Sequence, residues 1–300
     1  MKITLGNIVF GCGSTGGGGG SVSDTHPLPN GIKFVGSTWE TFDCGKYDWS
    51  LIYDASEMFR NCSNLKRIDN FPKNEINGGV YMFDGCSALE SIPNGINLKP
   101  YYTIERMFNG CTNLTEMPYF DTSKVYSFYE AFYDCSSLVE FPLIDTSKVT
   151  DLTGAWNGCK SLTEFPQLDL SSGTNFSSAW ANCNKLTEFP QLDLSSGTDF
   201  YLAWSNCNKL TSIPQLDLSS GTSFYLAWNY CHSLTTLGGF GAIKESFDLH
   251  FCPLTVESLM NVINQAATVT GKTMTLGSDN LNKLTDEQKA VATNKGWTLA

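Results

Sequence analysis

The sequence predicts an α/β solenoid of about eight coils of 24 residues, each with a short strand and a short helix or helical turn, capped at both ends. Three observations carry this. Cysteine recurs at a nearly constant interval, an aromatic residue and a leucine hold fixed offsets from it, and several repeats close on a Ser-Ser-Gly-Thr turn. A repeat array also suits 300 residues, because it grows by adding coils and not by enlarging one core.

The interval is read from the cysteines. Cys86 follows Cys62 by 24 residues, Cys111 follows after 25, and Cys135, Cys159, Cys183, Cys207 and Cys231 each after 24. Cys252 comes after 21, where the pattern degrades. Three residues before these cysteines stand Phe59, Phe83, Phe108, Phe132, Trp156, Trp180, Trp204 and Trp228. Three after them stand Leu65, Leu89, Leu114, Leu138, Leu162, Leu186, Leu210 and Leu234. Ten after, Asp121, Asp145, Asp169, Asp193 and Asp217 form a second row.

Within one coil, Phe176, Ala179, Trp180 and Cys183 fall at i, i+3, i+4 and i+7, one face of a short helix or helical turn. Asn175, Ser177, Ser178, Ala181 and Asn182 are then expected to point away. Leu186, Phe189, Leu192 and Leu194 are apolar within a polar run and suit one or two very short strands, and Ser195-Ser196-Gly197 turns the chain into the next coil.

Eleven cysteines at one per repeat do not make a disulfide framework. Stacked equivalents sit at about the strand spacing of 4.8 Å, too far apart and too parallel for a bond that brings Cβ atoms to about 3.8 Å. A reduced, buried ladder is expected, and the absence of a CxxC pair gives zinc no support.

The ends differ from the array, giving residues 1–20 as an attachment segment and Gly-rich tether, 21–57 as an N-terminal cap, 58–252 as the repeats and 253–300 as a C-terminal helix-strand-helix cap. Ile3, Leu5, Ile8 and Phe10 flank Gly6-Asn7 as in a hairpin, before the flexible run Gly16–Gly20. Such a tethered β element could add to a partner's sheet. At the other end Thr255 can cap a helix carrying Val256, Leu259, Val262 and Ile263, Lys272–Leu276 reads as a strand, and Thr285-Asp286-Glu287-Gln288 is a capping-box pattern that Gly296 would terminate. Trp297–Leu299 closes as a strand.

The run A-W-x-N-C-x-x-L-T-E-F-P-x-L-D-x-S resembles the BspA-like leucine-rich repeats of bacterial surface proteins, close to the Treponema pallidum type, over roughly residues 58–252. The resemblance implies an α/β leucine-rich-repeat solenoid with a strand-lined concave side and a role in adhesion to proteins or cells. The chain is also similar to repeat proteins encoded by bacteriophages of gut bacteria, whose ends carry segments like 253–300. That implies a virion-borne receptor-binding or tail-fibre role, with other virion or surface-assembly proteins as partners through the N-terminus.

Composition excludes several classes. A net charge of -11 disfavours nucleic acid and anionic membranes, and no apolar run is long enough for a membrane span. Val9-Phe10-Gly11-Cys12 only loosely matches a lipoprotein signal, since Thr4, Gly6 and Asn7 interrupt the apolar stretch before it. A virion or cell-surface location reached without a signal peptide is therefore expected, and a cytoplasmic one otherwise. His26, His232 and His250 come with no hydrolase, zinc-protease or P-loop motif, so no enzyme, cofactor or metal is expected; a glycan-cleaving carboxylate pair is the weaker alternative. The Asp row suggests calcium sites or turn acceptors, and the second is favoured. Glu116, Glu140, Glu164 and Glu188 are expected to face solvent.

The last coils locate a candidate surface. Residues 162–174 and 186–198 are identical, while outward positions of the predicted helix differ. There Tyr201, Leu202, Tyr225, Leu226 and Tyr230 are expected to form an exposed aromatic and aliphatic patch for a cell-surface glycan or protein.

Overall fold

The computed structural model describes residues 27–93 and 96–300 in full, together with the backbone of 2–5 and 8–11. Strands β1 (Lys2–Leu5) and β2 (Ile8–Gly11) pair antiparallel with Leu5 opposite Ile8, as the hairpin reading expects. The turn Gly6-Asn7, the glycine tether and the side chains of Ile3, Leu5, Ile8 and Phe10 lie outside the described residues.

From Pro27 onward the chain stacks coil on coil, and short parallel pairings mark the register. Strand β3 (Thr41–Asp43) pairs with β4 (Arg67–Asp69), β5 (Tyr102–Thr103) with β6 (Val125–Ser127), and β7 (Ser212–Ile213) with β8 (Thr236–Leu237). Between them run single parallel bridges, such as Asp151↔Asn175↔Asp199↔Ser223. At the C-terminal end β9 (Phe247–Asp248), β10 (Lys272–Thr275) and β11 (Trp297–Leu299) form a parallel sheet with β10 central.

Where a short helix or helical turn is expected, each coil takes a run of consecutive turns and not a helix. The amides of Phe176, Ser178, Trp180 and Asn182 donate to the carbonyls of Asp199, Tyr201, Ala203 and Ser205 in the next coil, at 2.8, 2.7, 2.9 and 2.8 Å. The amides between them (Ala179, Ala181 and Cys183) donate back three residues within the coil. Ser178 and Asn182 stand at φ +56° and +61°, in the i+2 position of type II turns. An α-helix would commit every amide to its own coil. Here alternate amides are turned outward to join neighbours, while the spacing of inward side chains stays helix-like. Ala181, expected to point away, and its equivalent Ser205 are buried between coils for the same reason.

The inward face matches the expectation. Phe59, Phe83, Phe108 and Phe132 form a column with ring centres 5.5–5.6 Å apart. Trp156, Trp180, Trp204 and Trp228 continue the array at 6.0, 5.4 and 5.7 Å. All eight are buried. Gly197 serves close approach and not an unusual φ: a Cβ there would stand 2.3 Å from Cζ of Phe200. Toward the N-terminus the stacking extends to Phe34, whose ring lies 5.7 Å from Phe59, and to Ser37, which donates its amide to the Phe34 carbonyl as Cys62 does to that of Phe59 and Cys231 to that of Trp228.

The C-terminal segment follows the expected order. Helix α1 (Val256–Gln265) is capped by Thr255, whose hydroxyl accepts from the Ser258 amide at 3.2 Å. Leu259, Val262 and Ile263 are buried, but Val256 is exposed in the first turn. A further helix, α2 (Gly277–Leu281), carries no side-chain cap, so no sequence signal marked it. Helix α3 (Asp286–Asn294) has the full capping box of Thr285 and Gln288.

Candidate binding surface

The turn geometry decides what each candidate residue presents. Tyr201 and Tyr225 occupy the same place in successive coils, are 39% and 65% exposed, and stack at 5.8 Å with 14° between ring planes. Leu202 and Leu226 follow them at φ +56° and +55°, half-buried, so they are less exposed than expected. Tyr230 is 47% exposed but belongs to a different group, with its ring 4.7 Å from Phe251 and 5.6 Å from His232. His250 lies against Phe251, and its Nδ1 is 2.6 Å from Asp248 Oδ1. The candidate patch thus resolves into a tyrosine pair and a separate aromatic cluster. Phe251 was missed because it lies beyond the regular repeat.

The acidic rows play different parts. Asp121, Asp145, Asp169, Asp193 and Asp217 each accept the amide two residues on at 3.0–3.1 Å, the turn role favoured from sequence. The Ser195 hydroxyl and amide hold the Asp193 carboxyl below its ordinary range. Glu116, Glu140, Glu164 and Glu188 face solvent and have no ion pair among the described residues.

The cysteines are free and buried at all ten described positions. From Cys62 onward the thiols point at the carbonyl of the aromatic one coil back, as in Cys86 to Phe59 (2.9 Å) and Cys231 to Trp204 (3.1 Å). The indole Nε1 atoms of Trp156, Trp180, Trp204 and Trp228 are buried without an acceptor. A charged clip absent from the sequence reading joins three coils: Asp84, almost fully buried, bonds Arg60 at 3.1 Å and Arg106 at 3.3 Å, and both guanidinium groups lie over the Tyr81 ring. The thiols and the Asp84 clip join one coil to the next, whereas Tyr201 and Tyr225 are directed outward.

No helix among the described residues is long and apolar enough to cross a membrane. Comparison with curated proteins gives no match. Among solved structures the chain is similar to a leucine-rich cell-surface protein from Faecalibacterium prausnitzii, with 13% identity, coverage of 97% of this chain and 88% of that one, and a TM-score of 0.34. It is also similar to a leucine-rich repeat protein from Bacteroides ovatus, with 14% identity, coverage of 87% and 83%, and a TM-score of 0.30. The model of the BspA type leucine-rich repeat region matches residues 49–163 and 106–235 in six copies. That span takes in the cysteine ladder, the paired turns and more than half of the chain, and the protein belongs to the BspA-type leucine-rich-repeat family.

Proposed function

We propose that this chain is a non-catalytic recognition and adhesion protein, a solenoid that presents its repeat surface to a glycan or protein on a bacterial cell. The observation that carries the reading is the stacked, solvent-facing pair Tyr201 and Tyr225. The two tyrosines stand at an outward position where the coils differ, Ser177 occupying it one coil earlier, and exposed aromatic rings supply contact area at low entropic cost. Family membership is consistent with adhesion, and the engagement of each Asp in its own turn supports a role without catalysis.

The test is binding of the purified chain to a panel of intact bacterial cells. The reading expects strain-dependent binding that Tyr201→Ala with Tyr225→Ala reduces at least tenfold. Absence of binding to every strain, or binding indifferent to both substitutions, would count against it.

The narrower form is a cell-surface or virion-borne receptor-binding or tail-fibre protein held in its assembly by the N-terminal hairpin. Its support is the antiparallel pairing of β1 with β2 ahead of a glycine run. Deleting residues 1–15 would release such a protein from its assembly without altering ligand binding, and retention would remove the attachment role.

A further inference from the structure

The coil between Cys86 and Cys111 is one residue longer than its neighbours, and the structure locates the extra residue. In the ladder Tyr102 stands opposite Val125 and Thr103 opposite Ser127, with a shift of register between them. Counted from the flanking cysteines, Pro100 matches Val125 and Thr103 matches Ser127, so the longer coil has Tyr101 and Tyr102 where the next has Tyr126 alone. The backbone absorbs the insertion in a tight γ-turn: the Thr103 amide donates to the Tyr101 carbonyl at 3.0 Å around Tyr102, at φ +73°. This conformation is strained for any residue but glycine.

Both rings stand in solvent, Tyr101 at 49% and Tyr102 at 61% exposure. They meet edge to face at 4.3 Å, and Tyr102 lies 6.2 Å from the exposed Tyr126 with 28° between planes. The Lys124 ammonium sits 5.1 Å from the Tyr101 ring centre. Stacking of the coils does not require this arrangement. At the same place in later coils stand threonines such as Thr174 and Thr198, whose hydroxyls bond the coil before at 3.1 Å. A strained insertion that places two further aromatic rings in solvent points to a ligand.

We propose that Tyr101, Tyr102, Tyr126 and Lys124 form a stacking platform for a neutral glycan. The Tyr102 and Tyr126 rings, 28° from parallel, offer apolar surface to the C–H face of a pyranose, while the phenol hydroxyls and the Lys124 ammonium supply partners for sugar hydroxyls. The net charge of -11, with Asp121 within electrostatic reach of Lys124, repels polyanions. The polar continuation of the row as threonines lacks the apolar surround of a protein-binding core. The platform deepens the recognition reading and rests on it, at a site distinct from Tyr201 and Tyr225.

Native affinity electrophoresis of the full chain through gels containing mannan, galactan or β-glucan tests this, with polygalacturonate as the acidic counterpart. Retardation is expected on at least one neutral polysaccharide, weakened at least tenfold by Tyr126→Ala and by Tyr102→Gly, and unchanged by Tyr201→Ala with Tyr225→Ala. Tyr102→Gly relieves the left-handed backbone, so a melting temperature at or above wild type separates loss of the ring from loss of the fold. No retardation on any neutral polysaccharide, retardation on polygalacturonate alone, or indifference to Tyr102→Gly overturns the platform. If the platform fails while cell binding still depends on Tyr201 and Tyr225, the recognition reading stands without it.

Discussion

The thiol of Cys207 donates to the backbone carbonyl of Trp180, one coil earlier, at 3.1 Å. The same carbonyl accepts the Cys183 amide at 3.3 Å, which closes a turn within its own coil. One carbonyl therefore serves both the local turn and the joint between coils. A cysteine fits this place because it fills a core site as a small hydrophobe and still carries a weak donor.

Replacing the thiol separates those two roles. Cys207→Ala is expected to cost about 1–2 kcal/mol through a small cavity and the lost donor. Cys207→Ser keeps a donor of nearly the same size, whereas Cys207→Val adds a methyl to a packed column and removes the donor. Urea midpoints should place Ser above Val. The reverse order would show that only hydrophobic volume matters there.

The ladder also sets a pH limit. Burial pushes the thiols of Cys111, Cys135, Cys159, Cys183, Cys207 and Cys252 well up, and that of Cys231 from 9.0 to about 12. A raised folded value means that the stabilising term is complete below the unfolded value. It is lost as pH climbs from about 9 toward the folded value, because the unfolded chain releases protons that the folded chain keeps. Each thiol then removes about 1 kcal/mol per pH unit. Urea midpoints at about pH 8 and about pH 10 should differ far more than the tyrosines alone explain, and the thiolates of these seven cysteines should appear only with unfolding. Gradual titration of these seven thiols in the folded chain would contradict this.

How much could be read beforehand follows from what repetition reveals. Side chains that recur every coil (Trp180, Cys183, Leu186) announced the inward face, and Thr255 and Thr285 announced the C-terminal caps through local hydrogen-bonding chemistry. The sequence left a short helix and a helical turn open, because Phe176, Ala179, Trp180 and Cys183 repeat at helical spacing in either conformation. Only the destination of alternate amides distinguishes the two. Asn182, Asn206 and Gly158 did carry a hint, since Asn and Gly favour left-handed φ, but Tyr230 in the same place obscured it. The Tyr101–Tyr102 insertion was visible as one 25-residue interval, although its meaning needed the register of β5 with β6.

The clip at Asp84 should behave as a joint between coils. Its carboxylate side chain is 6% exposed, whereas those of Arg60 and Arg106 are 36% and 34% exposed. Removing a partner of a fully buried pair costs about 3–5 kcal/mol; with both cations partly solvated, Asp84→Ala is expected to cost about 2 kcal/mol. Asp84→Asn keeps an acceptor and should cost less. A thermal melt in which both variants match wild type would reduce the clip to a surface ornament.

The last prediction tests the paired turns directly. In a helix interior, glycine is about 1 kcal/mol worse than alanine. Leu226 stands at φ +55°, where any L side chain costs about 1–2 kcal/mol and glycine does not. Gly154 fills the equivalent place three coils earlier, at φ +59°. Both Leu226→Ala and Leu226→Gly lose the half-buried side chain, but only glycine also relieves the backbone. Leu226→Gly is therefore expected to be more stable than Leu226→Ala by about 1 kcal/mol. Paired denaturation curves give the sign, and alanine above glycine would restore the helix that the side-chain spacing suggests.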